Sequence, residues 1–537
     1  MIRLSNIKLP LGYSDDDIRA VCAKELRVPI KAIKQASLYR RSIDARHKND
    51  IHYTTSIDVT LSGNEQAALN KAKCKNAAIT EPYRYIPLTP KNKDKRPLIV
   101  GTGPAGLFCA LTLAQSGIRP IVIERGSRVE ERTKAVNRMW QKAVLDAECN
   151  VQFGEGGAGT FSDGKLNTGT KDGRSRKVLL EFAAHGAPDE ILYNAKPHIG
   201  TDKLRDTVKS IREELIALGA EIYFDTKLTD IKTTDVTITA AEVEHEGTKR
   251  LIECNEIVLA IGHSARDTFE LIHGMGIHIE PKSFSVGVRI EHLRENIDRS
   301  QYGAAHNRLP AAYYKQNVHL RDGRGIYTFC MCPGGVVVAA QSEENSVVTN
   351  GMSEFARDKV NSNAALLVSV HPDDIVGEHR LKGMFWQREL ERKAFVAGGG
   401  DYRAPIIRVG DFLNKEISTR LGEVTPSYQP GTEFASMDDI LSPFVTASLR
   451  EAIPLIDRRL HGFNHPDAVL TAVESRSSSP IRITRDERLQ SVSLKGLYPC
   501  GEGAGYAGGI VSAAVDGIKV AEKSSQHNKG SHSGHSL

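Results

Sequence analysis

Paired cysteines are what this 537-residue chain first lacks. Its eight cysteines, Cys22, Cys74, Cys109, Cys149, Cys254, Cys330, Cys332 and Cys500, include no C-x-x-C pair. No metal site is expected from their spacing, no disulfide framework from their density, and a reducing cytoplasm is the expected setting. Aromatic residues make up only 6%, which advertises no stacking platform for nucleic-acid bases. Long apolar runs are missing too. The longest, such as Pro97–Val100 and Ile257–Ile261, are strand-sized, whereas a membrane span needs about 20 apolar residues. Asp15, Asp16 and Asp17 break up the N-terminus, so no signal peptide is expected. Charge of one sign is scarce overall, at a net +5. It is unevenly placed, because residues 1–96 hold 19 Lys and Arg against 10 Asp and Glu. The basic character therefore belongs to the N-terminal segment.

The chain does have an ordinary globular balance, 40% hydrophobic and 26% charged, over a length that predicts two or three cores. Residues 1–90 are expected to form a small basic α+β domain. In it Met1–Leu9 is a strand, and Ser14–Leu26 is a helix with Ser14 as N-cap and Asp17 completing a capping box. Ala36–Asp44 and Ile51–Leu61 are a strand pair, and Ser62–Lys73 a second helix. Lys91–Arg96 reads as an exposed basic linker. Residues 91–284 read as the first part of an α/β, Rossmann-like domain with a parallel sheet and a β-meander, and residues 466–525 as its second part. Between them, 285–465 is expected to be an inserted α+β substrate or cap domain. Its strands are placed at Phe284–Ile290, Ile326–Cys332 and Val336–Gln341, and its helices at Ser353–Val368 and Asp438–Leu460. The Ser/Gly/His-rich residues 526–537 read as a disordered tail.

Gly101-Thr102-Gly103-Pro104-Ala105-Gly106 is a G-x-G-x-x-G between a predicted strand, Pro97–Val100, and a predicted helix, Leu107–Gln115. Gly101 permits the tight turn, Gly103 lets the backbone approach a pyrophosphate, and Gly106 lets the helix pack close to the sheet. The helix N-terminus then offers amides and a positive dipole end to the anion. The next strand ends at Glu124, placed to accept two ribose hydroxyls and to repel a 2′-phosphate; Arg125 beside it weakens that repulsion only slightly. Near the other end, a strand reaches Cys500 and is followed by Gly501-Glu502-Gly503-Ala504-Gly505-Tyr506-Ala507-Gly508-Gly509-Ile510. A third strand ends at Ile261, before Gly262-His263-Ser264-Ala265-Arg266-Asp267.

These segments resemble the two-dinucleotide-domain flavoproteins, in which a late Gly-Asp binds the ribitol chain and the next helix points at the flavin pyrimidine edge. Glu502 stands where that class has Asp, one methylene longer. The whole chain is more specifically similar to an uncharacterised bacterial family of FAD-dependent dehydrogenases. That similarity also rests on Ser42–Arg46, Phe153–Leu166, Gly200–Leu204 and Phe329–Gly335. The resemblance implies FAD and a redox role on an unnamed small-molecule substrate. It implies cofactor contacts at the loop residues Gly101, Gly103, Pro104, Ala105 and Gly106, then at Glu124 and Arg125, and at Gly157, Lys165 and Leu166 of the glycine-rich loop. Leu228, Ala260 and Gly262, then Gly501, Glu502, Gly508, Gly509 and Ile510, complete the set. No separate pyridine-nucleotide domain is expected after residue 106, so a nicotinamide nucleotide that reduces the flavin is expected to bind transiently in the substrate cleft.

Lys165 is expected either to face the flavin or to be a solvated loop charge. His263 reads as a proton donor or simply a loop histidine, and the loop reading is favoured, since nothing in the sequence pairs it with a carboxylate. Cys330 and Cys332, i and i+2 on a strand, read as buried core thiols with poor geometry for a disulfide. Two other readings remain open: an RNA-directed flavoprotein using Arg40, Arg41, Arg46 and Lys48, although nucleic-acid binding is disfavoured, and a non-enzymatic redox sensor. The oligomeric state is left open.

Overall fold

A computed structural model describes residues 1–167, 169 and 171–525, so the tail expected over 526–537 lies outside the described residues. A five-stranded sheet organises the cofactor half. Its strands run in the order Leu497–Pro499, Ile257–Leu259, Leu98–Val100, Ile121–Ile123 and Glu221–Tyr223, all parallel. The first four are wholly buried three-residue runs, as parallel strands covered on both faces must be. Glu221–Tyr223 is more polar and lies at the open edge. The helix Pro104–Gln115 buries ten consecutive residues and starts with proline at its first turn. It packs tightly on the helix Ile510–Ser524: a Cβ on Gly517 would sit 2.0 Å from the Ala105 carbonyl oxygen. The meander Thr226–Thr234, Thr237–His245 and Thr248–Glu253 is antiparallel.

A seven-stranded sheet forms the other half. Its order is Asn317–His319, Gly325–Cys332, Asn361–Val370, Phe284–Leu293, Val469–Glu474, Ala404–Arg408 and Thr432–Phe434. The helix expected over Ser353–Val368 is not there. Asn361–Val370 is a central strand, paired on both sides with Phe284–Leu293 and Gly325–Cys332. Nine of its ten residues are buried, which erases the alternation that marks a half-exposed strand. Its Ala-Ala-Leu-Leu core then reads as helix until the ladders are known. Val469–Glu474, beyond the expected end of the insertion at 465, is still a strand of this sheet. The antiparallel pair Ile279–Pro281 and Ile481–Ile483 ties the two halves together where the chain enters and leaves this sheet.

The front segment folds as Ile33–Asp44, His52–Leu61, Ile2–Leu9 and Ala77–Ile79 in sheet order, with helices Asp15–Leu26 and Glu65–Lys71. Ser14 and Asp17 cap the first helix reciprocally, at 3.2 and 2.8 Å. Lys91–Arg96 has no helix or strand and four of its six residues are exposed, but one of its lysines is held. Lys95 pairs with Glu256 and donates to the Ser524 carbonyl at 2.9 Å, and Tyr85 reaches Glu522 at 3.1 Å. The segment is strapped along the cofactor half because buried Glu256 requires a cation. No helix among the described residues is long and apolar enough to cross a membrane.

Candidate active site

One cleft of about 1350 Å³ lies where the two halves meet. Sixteen of the eighteen residues expected to touch the cofactor line it; Gly106 and Gly501 do not. Both of those are packing residues. A Cβ on Gly106 would lie 1.9 Å from the Gly101 carbonyl oxygen, and one on Gly501 would lie 2.7 Å from the Ala105 Cβ. Gly101 turns at φ +103°, where a side chain would meet the Ala260 carbonyl oxygen at 2.4 Å. Gly103 differs from all of these. Its φ is −66°, and a Cβ there would find nothing nearer than Gly157 Cα at 3.9 Å. The polypeptide itself does not demand glycine at 103, whereas a phosphate resting on the helix N-terminus does. This cradle, which a Cβ would fill, fits a dinucleotide.

Glu124 is more committed than its position suggested. One carboxylate oxygen accepts from the Thr102 amide and hydroxyl, both at 2.9 Å. The other accepts from the amides of Gly126, at 3.0 Å, and Gly154, at 2.9 Å. Those four donors occupy its four acceptor positions. Its first task is therefore to clamp the phosphate loop to the glycine-rich loop, and a ribose has to share it. Arg125 is likewise engaged, with Glu148 and Asp267, at 2.8 and 2.7 Å.

Arg132 organises the glycine-rich loop from inside. It lies on the helix Val129–Lys142, which the sequence reading missed, and is fully buried. It donates to the carbonyls of Asn150, Val151, Gly154, Glu155 and Gly157 at 2.6–3.1 Å. Burial pulls its pKa down to about 10, so it remains charged at neutral pH. Beside it, Glu155 accepts from the Val129 amide at 2.8 Å and pairs with Arg212 at 2.9 Å. Burial pushes the Glu155 carboxyl up to about 7. An arginine on an amphipathic helix reads as surface charge, so only the loop's five inward carbonyls reveal this one.

His263 does have a carboxylate neighbour. Its Nδ1 lies 3.3 Å from Glu502 Oε1, and its buried Nε2 has no partner among the described residues. The pairing follows from a close crossing: a Cβ on Gly503 would sit 2.2 Å from the Gly262 carbonyl oxygen. Lys165 is no solvated charge. It pairs with fully buried Asp163 at 3.0 Å and lies 3.8 Å from Cys332 Sγ. Burial works against its charge, and Asp163 more than restores it, raising its pKa above the ordinary value. The second sheet contributes Cys330 and Glu474 to the lining, and Arg476 follows just past the end of its strand, with Glu474 held by buried Arg289 at 2.8 Å. The front domain contributes Tyr39 and Arg40, docked by an Arg41–Asn194 bridge. Away from the cleft, Glu181, His185 and Glu214 bring ligand atoms within 4.8 Å of one another, but Lys177 and the Glu181 carbonyl already engage them.

Three family models match the chain. Residues 95–285 match the family described as pyridine nucleotide-disulphide oxidoreductase. Residues 283–477 match an FAD-dependent protein C-terminal domain, and residues 1–60 match a domain of unknown function. An uncharacterized protein of Clostridium beijerinckii is 47% identical over 97% of this chain and 98% of that one. Solved structures with a similar course include the flavin-dependent brominase Bmp2, at 12% identity, TM-score 0.37, and 80% and 78% coverage of this chain and that one. A flavoprotein/dehydrogenase from Cytophaga hutchinsonii follows at 12%, 0.30, and 80% and 77%. Neither likeness is close enough to bear on chemistry. The chain belongs to the family of FAD-dependent proteins that these matches define, and its cofactor is FAD.

Proposed function

We propose that the protein is an FAD-dependent oxidoreductase acting on a small anionic metabolite in the cleft between its two halves. The observation that carries this reading is the unpartnered His263 Nε2, buried in a cleft whose rim is basic. Bound FAD supplies the two-electron chemistry. The chain's own residues supply placement and proton handling. Gly103 and the first turn of Pro104–Gln115 hold the pyrophosphate, and the first turn of Ile510–Ser524 lends its positive end to the flavin edge. His263 holds or moves a proton at Nε2, with Glu502 fixing the ring from the Nδ1 side. Exposed Arg40, Lys171, Lys196 and Lys315 line the cleft, and none pairs with a carboxylate among the described residues. Such a rim draws in anionic substrates and the phosphates of a nicotinamide nucleotide.

The RNA reading loses support on the same surface. Arg41 is spent on Asn194 and Tyr13, at 3.0 and 3.1 Å, and Arg46 on Asp44 at 2.6 Å. The test is an absorbance spectrum of purified protein before and after anaerobic NADH or NADPH, followed by reoxidation with carboxylated and neutral acceptors. His263→Ala is expected to keep its flavin and lose turnover. A flavin that neither nucleotide nor any metabolite reduces overturns the proposal.

A further inference from the structure

The strand Gly325–Cys332 does not run straight to its end. Phe329 pairs with Ala365 and Cys332 with Asn363, so one extra residue is accommodated between them. Cys330 takes the turn at φ +42°, a left-handed conformation that costs a cysteine strain. Bulges of this kind re-aim side chains beside active sites. Here the bulge undoes the i, i+2 geometry of an extended strand. The Cys332 thiol folds back to donate to the Cys330 carbonyl at 3.3 Å, which brings the two cysteines together on the bulge. Cys330 lines the cleft, while Cys332 is buried behind it.

Two cations attend the pair. Lys165 Nζ lies 3.8 Å from Cys332 Sγ, and the Arg289 guanidinium donates to the Cys330 carbonyl at 3.2 Å. The neighbouring Cys332, then Lys165 and Arg289, hold Cys330 below the ordinary thiol value despite its burial. Cys332 moves the opposite way, raised by burial. Cys330 is thus the more readily ionised thiol of the pair and Cys332 the more firmly protonated one, the arrangement that disulfide chemistry needs. The other six cysteines show no such pairing. Cys22, Cys109, Cys254 and Cys500 are buried thiols pushed up by desolvation.

We propose that Cys330 and Cys332 are a redox-active dithiol that exchanges an electron pair with FAD in this cleft. The proposal rests on the cleft being the flavin site. In the oxidising direction the two S–H bonds break and one S–S bond forms. Two electrons and two protons leave the sulfurs, and oxidised FAD takes them up to become its dihydro form. In the reverse direction the reduced cofactor opens the disulfide. Facing the cleft, Cys330 is the sulfur that a disulfide or thiol entering from outside meets first, so the pair adds disulfide-bearing compounds to the substrates open to this site.

The test counts electrons and thiols on the flavin-loaded protein. Anaerobic dithionite titration of air-oxidised protein is expected to take four electrons per FAD, and two in Cys330→Ser and in Cys332→Ser. In denaturant, air-oxidised wild-type protein is expected to show two thiols fewer than its eight cysteines, and all eight after reduction. Reduced protein reoxidised at its sulfurs by a small disulfide should pass through a state with its flavin oxidised. Flavin-loaded wild-type protein that takes only two electrons and titrates all eight thiols when oxidised overturns the dithiol, and leaves the oxidoreductase reading intact. Protein that folds without flavin yet loses two thiols on oxidation overturns the exchange with FAD instead.

Discussion

Replacing Arg132 with methionine tests whether the glycine-rich loop is built around a cation. Methionine has similar bulk and flexibility, so the cavity left behind is small. The main loss is five hydrogen bonds, to the carbonyls of residues 150, 151, 154, 155 and 157. Each buried acceptor left without a donor costs about 1–3 kcal/mol. Water enters from the cleft side and recovers part of this, which brings the net effect to about 3–5 kcal/mol, at or just under the low end of five such losses. That loss falls on the loop that forms one wall of the cofactor cleft. If it is expressed as cofactor affinity, flavin binding weakens by about a hundredfold to a few thousandfold. Lysine has three donors and reaches at most three of the five carbonyls, so Arg132→Lys should be intermediate. The assay is the flavin-to-protein ratio after gel filtration, beside thermal unfolding of the same samples. Arg132→Met protein that keeps a full complement of flavin and melts with the wild type would refute the reasoning.

Three further outcomes are expected. Gly103→Ala should leave apoprotein stability unchanged or raise it by about 0.4–1 kcal/mol, because φ −66° suits alanine and nothing in the chain crowds the new methyl. Flavin retention should nevertheless fall; a yellow Gly103→Ala protein would show that no phosphate rests there. For Glu155, a folded-state pKa of about 7 lies above the ordinary carboxylate value, so the folded state holds the proton more tightly than the unfolded state. The stability this contributes is present below the unfolded value and is lost as pH rises through about 7. It amounts to about 3 kcal/mol, and Glu155→Gln should flatten that part of a stability profile measured by urea unfolding. Deleting residues 1–96 should destabilise the cofactor half, since buried Glu256 loses Lys95, whereas deleting residues 1–80 should spare it; equal melting temperatures for the two truncations would remove the strap from the argument.

What could be read in the sequence was local chemistry. Gly101–Gly106 is a contiguous set of steric requirements, and Ser14 with Asp17 is a contiguous cap, so each can be recognised without knowing the fold. The parallel strands were legible because burial on both faces leaves unbroken apolar triplets. Relations across the chain were not. Glu124 was placed correctly at a strand end, but the Gly154 amide that shares its carboxylate comes from a loop ordered by Arg132. His263 looked solitary because Glu502 reaches it only through the crossing at Gly262 and Gly503. Cys330 and Cys332 were judged as an extended strand, since a bulge is set by the register with Asn361–Val370 and leaves no mark on composition. That same strand was misread as helix, because helix-forming residues were placed in it by the packing of two neighbours.

The place of Leu497–Pro499 in the parallel sheet has a consequence for biosynthesis. This strand pairs with Ile257–Leu259, and the helix after it packs on Pro104–Gln115. During translation the phosphate loop leaves the ribosome well before the strand and helix that finish its sheet. The intervening seven-stranded sheet is closed by Val469–Glu474, also late. For most of synthesis, therefore, the nascent chain carries an open parallel edge and an uncovered apolar helix, features that invite aggregation and chaperone holding. Cofactor capture has to follow synthesis of this strand and helix, and nascent chains stalled before residue 497 should emerge colourless whatever the supply of FAD.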